Sequence, residues 1–158
     1  MDTEVPMGEL VVTKEEVNLT AHAVGSCAVI TLYNPKLKIA GMIHAMLPSA
    51  PHPTLSPFGG EEKGEGVDAK YVDTAIDLAL KKMCSLGAQS FDIEAKLVGG
   101  ANMFGLSNSD IGRENVLSAK KKLKEVGIKL IGESIGGSIG RSVEFSVATG
   151  IVMVKISF

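Results

Sequence analysis

Two apolar runs separated by a short polar break dominate the first third of the chain. Residues 24–33 (VGSCAVITLY) and 39–47 (IAGMIHAML) contain no Asp, Glu, Lys or Arg and are rich in β-branched side chains. That pattern predicts two buried strands. Between them Asn34-Pro35-Lys36-Leu37 has turn composition, with proline suited to the second turn position. A hairpin centred on Pro35-Lys36 sets Asn34 opposite Leu37, so facing residue numbers sum to 71 and Cys27 faces His44. Shorter apolar segments at 9–13 and 17–24 predict two strands ahead of this pair.

Past residue 66 the period changes. Val72, Ala75, Ile76, Ala79, Leu80 and Met83 recur at helical spacing, predicting a helix over 68–86 with Asp68 as N-cap and Gly87 as the stop. Cys84 borders that stripe and reads as packing. A second helix over 110–126 turns Val116, Ala119, Leu123 and Val126 inward and ends at Gly127, with most of its lysines on the solvated side. Strands are expected at 90–98, 128–132, 142–148 and 151–156, the last two closing as a hairpin across Thr149-Gly150. Residues 48–66 hold four of the six prolines, with no periodicity, and read as a mobile loop: a lid, a substrate-facing surface or a tolerated insertion. Strands bracketing two amphipathic helices define an α+β fold, a layered α/β sandwich with mixed β-sheets and two main helices, forming one domain over 1–158.

Composition narrows the function. A hydrophobic content of 45% and a net charge of −2 suit an ordinary soluble domain. Aromatics are scarce (4%, no Trp) and no basic stripe interleaves them, so nucleic-acid binding has no support. No apolar segment reaches the roughly 18 residues of a membrane span, and the acidic start Met1-Asp2-Thr3-Glu4 is unlike a secretory signal, so a cytoplasmic location is expected. Two cysteines make no disulfide framework, and His22, His44 and His52 show no metal-ligand spacing with them. Neither a metal nor a cofactor is expected. The glycine clusters at 99–100, 112 and 136–140 lack P-loop and dinucleotide patterns and fit tight turns better.

The chemistry therefore rests on Cys27 and His44. In a strand pair, facing Cβ atoms lie roughly 5 Å apart, within reach of a thiol and an imidazole. Imidazole can take a thiol proton and return one to a leaving group, and an adjacent imidazolium favours the thiolate. On that basis Cys27 should be alkylated faster than Cys84. Taken alone, the pair also reads as a small buried hydrophobe beside a satisfied core histidine.

The segments GSCAVITLYNPKLKIAGMIHAMLP (25–48), KYVDTAIDLALKKMCSLGA (70–88), KLVGGANMF (96–104), DIGRENV (110–116), IGGSIGRSVEF (135–145) and TGIVMVK (149–155) occur in this order. Together they resemble CheD, the chemoreceptor glutamine deamidase family of bacterial and archaeal chemotaxis. The resemblance implies a fold related to cysteine-hydrolase toxins, Cys27 as nucleophile, His44 as base, chemoreceptor cytoplasmic helices as protein substrate, and a CheC-type phosphatase as partner. The implied reaction hydrolyses a glutamine side-chain amide to glutamate and ammonia.

The family's third catalytic member, a threonine six residues before the cysteine, falls here on Ala21. Its neighbour Thr20 is the candidate replacement. Strand alternation points Thr20 away from residue 21 unless a bulge turns it inward. The other readings are a Cys27–His44 dyad, or a non-enzymatic chemotaxis adaptor that binds receptors or the CheC phosphatase. A general cysteine hydrolase or acyl transferase is a further possibility.

Overall fold

In the computed structural model, residues 1–50, 67–103 and 110–156 are described. Most of the expected loop, 51–66, lies outside them. Among the described residues, nine strands and two α-helices run in the order β1 (Asp2–Glu4), β2 (Leu10–Thr13), β3 (Asn18–Val24), β4 (Ala28–Asn34), β5 (Ile39–Ala45), α1 (Val72–Ser85), β6 (Glu94–Gly99), α2 (Ile111–Val126), β7 (Lys129–Ile135), β8 (Arg141–Ser146) and β9 (Val152–Ile156). They form a four-stranded sheet, β1-β3-β8-β9, and a five-stranded sheet, β2-β5-β4-β6-β7. Each contains one parallel pair, β1 with β3 and β6 with β7, so both sheets are mixed.

β4 and β5 are buried along their whole length, because apolar layers cover both faces of the five-stranded sheet. Ala28, Ile30, Leu32, Ile43 and Leu97 meet Val72, Ile76 and Met83 of α1 and Val116 and Leu123 of α2 on one face. Cys27, Val29, Tyr33, Met42 and Val98 meet Leu19, Ala21, Val143 and Phe145 of the four-stranded sheet on the other. The result is three layers: helices, five-stranded sheet, four-stranded sheet. Strand alternation explains it, since consecutive side chains of one apolar strand serve two cores.

Two element starts, and the setting of Cys84, differ from the pattern-based expectation. The α1 helix begins at Val72, and Asp68 belongs to a preceding 3-10 turn, Val67–Lys70. Tyr71 occupies the N-cap with no side-chain hydrogen bond. A cap contributes about 1 kcal/mol, whereas burying Val72, Ile76 and Met83 contributes roughly 1.5–3 kcal/mol each. Packing therefore sets this helix start. Residues Ser90–Asp92 form a second 3-10 turn, which delays the strand expected at 90–98 to Glu94. Cys84 lies exposed on the outer side of α1 and plays no part in packing.

By contrast, α2 follows its sequence signals closely. Asp110 caps it by accepting from the Arg113 amide at 3.0 Å, and Gly127 ends it in the left-handed region at φ 76°. Its first turn lies hard against the chain after β6. A Cβ at Gly112 would stand 2.4 Å from the Ala101 carbonyl oxygen, so only glycine permits that approach.

The β4–β5 hairpin forms, but in a different register. Val29, not Cys27, faces His44, and facing residue numbers sum to 73. The connection is four residues, Pro35 to Lys38, rather than two. Asn34 Oδ1 accepts from the Lys36 and Leu37 amides at 3.0 Å each, and Lys38 adopts φ 53°. An asparagine that satisfies two loop amides stabilises the wider turn. A slip of one residue would have reversed every side chain; this slip moves His44 two places along β4 and keeps the faces intact.

Candidate active site

Cys27 is the residue just before β4, at the end of a Gly-Ser step, and is 7% exposed. It shares the inter-sheet face with Val29, which pairs with His44. Cys27 and His44 are thus diagonal neighbours on one face. Diagonal Cβ atoms in a sheet are roughly 7–8 Å apart, still within reach of a ring. No hydrogen bond joins the two side chains here, for His44 Nε2 has no partner among the described residues.

The backbone around Cys27 is pinned from the β6 side. The Cys27 carbonyl accepts from the Gly100 amide at 2.9 Å, and the Gly25 carbonyl accepts from the Ala101 amide at 2.9 Å. Gly99, at φ 113°, makes this possible, since a Cβ there would stand 2.3 Å from the Cys27 carbonyl oxygen. Gly99's own carbonyl accepts from the Gly136 amide at 2.9 Å and from Arg141 Nη1 at 3.4 Å. The glycine clusters therefore build the floor beneath the cysteine.

His44 is 2% exposed, and its ring is held by a residue that the hydrophobic pattern did not single out. Nδ1 lies 3.0 Å from the Val5 carbonyl oxygen. A carbonyl only accepts, so Nδ1 carries the proton and Nε2 is the free lone pair of the neutral ring. Val5 follows β1, a three-residue strand that pairs with β3 in parallel. The His44 backbone is fixed there too, its amide donating to Glu9 and its carbonyl accepting from Gly8.

Burial decides the resting charge. Desolvation lowers the His44 pKa below its usual 6.5, and the Val5 hydrogen bond and the Glu4 carboxylate offset this only in part. Desolvation also raises the Cys27 thiol above 9.0. The resting pair is therefore thiol and neutral imidazole, not thiolate and imidazolium. That arrangement suits general-base activation of the thiol when substrate arrives.

Thr20 is placed elsewhere. Leu19 and Ala21 point into the inter-sheet core, whereas Thr20 shares the outer face of the four-stranded sheet with His22, Ser142 and Glu144. There these residues line a cavity of about 440 Å³. β3 does bulge, between Ala21 and Val24, with Ala23 at φ 55°. The bulge comes after Thr20 and leaves it facing out. The residue on the Cys27 side is Ala21, 0% exposed.

A buried polar residue, Asn115, also escaped the sequence reading. Asn115 lies on α2, four residues before Ala119 and three after Gly112, within the buried stripe of that helix. Its Nδ2 donates to the Ser26 carbonyl at 2.8 Å and to the Met46 carbonyl at 3.1 Å. A polar side chain in an otherwise apolar stripe was the available signal. Val5 left none, because it acts through its backbone. Among the described residues no three His, Cys, Asp or Glu side chains converge as metal ligands would, and no helix is long and apolar enough to cross a membrane.

A cysteine at the mouth of a buried strand, with a tautomer-fixed histidine on the same face of an α+β sandwich, defines a candidate thiol-dependent acyl-transfer site. A family model described as CheD chemotactic sensory transduction matches residues 46–156. The chain is 41% identical over 157 residues to the probable chemoreceptor glutamine deamidase CheD of Pyrococcus abyssi, covering 98% of this chain and 91% of that protein. It is 41% identical over 150 residues to the chemoreceptor glutamine deamidase CheD of Halalkalibacterium halodurans (92% and 88% covered). With that of Thermotoga maritima it shares 36% over 155 residues (98% and 92% covered). The chain belongs to the CheD family.

Proposed function

We propose that the protein is a chemoreceptor glutamine deamidase that uses Cys27 as nucleophile and His44 as general base. The observation carrying this reading is the orientation of His44: Val5 holds Nδ1, and Nε2 has no partner among the described residues on the face that Cys27 shares. The printed activity of the relatives, chemoreceptor glutamine deamidation, supplies the substrate class.

In the proposed reaction His44 Nε2 takes the Cys27 proton as Sγ attacks the carboxamide carbon of a receptor glutamine. The tetrahedral oxyanion collapses as Nε2 returns the proton to the departing nitrogen, releasing ammonia and leaving a thioester on Cys27. Water, deprotonated by Nε2, then attacks the thioester carbon. Collapse gives glutamate and restores the thiol. Thr20 has no role in this scheme; the Val5 carbonyl does the orienting that the family's threonine was expected to do. A chemotaxis phosphatase of the CheC type is the regulatory partner inferred from the family resemblance, and a cytoplasmic location follows from the substrate.

The test is ammonia release from a purified receptor cytoplasmic fragment. The account expects release by the intact protein and none by Cys27→Ala. Binding of the fragment without release by either protein would instead favour the adaptor reading.

A further inference from the structure

We propose that Asn115 is a positioning residue that aims the Cys27 backbone N–H as an oxyanion donor. The inference rests on the acyl-transfer reading of Cys27 above. Asn115 is fully buried, and its Nδ2 donates both hydrogens, to the carbonyls of Ser26 and Met46. Its Oδ1 is buried with no partner among the described residues. An unpartnered buried acceptor is costly, and an apolar residue would fill the same helical stripe without that cost. Something must offset it, and the two donated bonds are the only polar contacts that Asn115 makes among the described residues.

The Ser26 carbonyl and the Cys27 N–H belong to one planar trans peptide, in which they point in opposite directions. Asn115 lies on α2, on the helix side of the five-stranded sheet, whereas Cys27 joins the core on its other side. A bond that draws the Ser26 oxygen toward α2 therefore turns the Cys27 N–H toward the thiol's side of the sheet. No turn or loop carbonyl among the described residues takes that N–H. The second bond reaches Met46, two residues past His44, so one amide group ties together the backbones that carry the nucleophile and the base. Ser118, a turn later on α2, donates to the Pro48 carbonyl and anchors the same exit from β5.

The experiment compares two reactions of Cys27 in a Cys84→Ala background, which removes the exposed thiol. Alkylation by iodoacetamide forms a sulfur–carbon bond with loss of iodide and develops no oxyanion. Acylation by p-nitrophenyl acetate forms a thioester and expels nitrophenolate through a tetrahedral oxyanion. Removing an oxyanion donor typically costs on the order of 10²-fold in rate. Asn115→Leu, close in shape but without donors, is expected to leave alkylation within about threefold and to slow acylation at least about tenfold. Asn115→Ala is the second variant, and the ratio is read only for protein that circular dichroism shows to be folded.

An unchanged ratio would overturn the proposal, whether both reactions keep their rates or fall together. So would failure of both variants to fold, which would leave Asn115 a purely structural residue, or a parent protein that is not acylated at all. Normal acylation without receptor deamidation would instead sink the glutamine reading while leaving the role of Asn115 standing.

Discussion

His44 Nδ1 lies 3.0 Å from the carbonyl oxygen of Val5, and that contact fixes which ring nitrogen is basic. The proton sits on Nδ1, Nε2 keeps its lone pair with no partner among the described residues, and burial keeps the ring neutral. The residue that follows a short N-terminal strand thereby sets the tautomer of this imidazole.

The pH dependence follows from these shifts. With His44 as the proposed general base, turnover requires the neutral ring, so kcat/KM should rise with pH through a single pKa below 6.5 and stay level through neutrality. The Cys27 thiol, raised above 9.0, should be alkylated more slowly at neutral pH than exposed Cys84. This reverses the order expected from a preformed thiolate–imidazolium pair. Faster labelling of Cys27 would mean that the resting pair is ionic.

Stability should carry the same signature. The unfolded chain binds a proton at His44 near pH 6.5, and the folded chain binds it only at lower pH. Between those two values the unfolded state holds more protons, so the contribution is complete above 6.5 and is lost as pH falls through the window. Urea midpoints measured on both sides of the window should fall on acidification, and His44→Gln should flatten that fall. An equal fall in both proteins would place the titrating group elsewhere.

Much of this was legible in the chain. The apolar runs of β4 and β5 announced two strands buried on both faces, and the stripes of α1 and α2 announced the helices over them, because periodicity reports directly on burial. Cys27 and His44 could be placed on one face because a slip of two residues preserves facing. The register itself was not legible: it depended on the Asn34 side chain bonding to two loop amides. Strand β1, only three residues long and mixed in polarity, gave no periodic signal, and with it went the Val5 carbonyl. Asn115 interrupts an apolar stripe, yet what it bonds to depends on tertiary packing that no local pattern encodes.

The two candidate positions on β3 can be separated by substitution. Thr20 faces the outer cavity, so Thr20→Ala should leave turnover within about twofold of the parent, the ordinary effect of a change remote from the chemistry. Ala21→Thr places a hydroxyl on the core side near Cys27. It should destabilise the fold by roughly 1–3 kcal/mol through overpacking. Any gain in its kcat at constant KM would show that a side-chain hydroxyl adds to the orientation that Val5 supplies. A tenfold loss in Thr20→Ala would restore Thr20 to the catalytic group.

Peptide-resolved mass spectrometry of a receptor cytoplasmic fragment, incubated with the intact protein, Cys27→Ala or His44→Ala, tests the central claim most directly. The account predicts that specific glutamines are converted to glutamate by the intact protein, that Cys27→Ala converts none, and that His44→Ala is slower by on the order of 10²-fold or more. Conversion by Cys27→Ala at the parent rate, or no conversion by the intact protein while it binds the fragment, would contradict it.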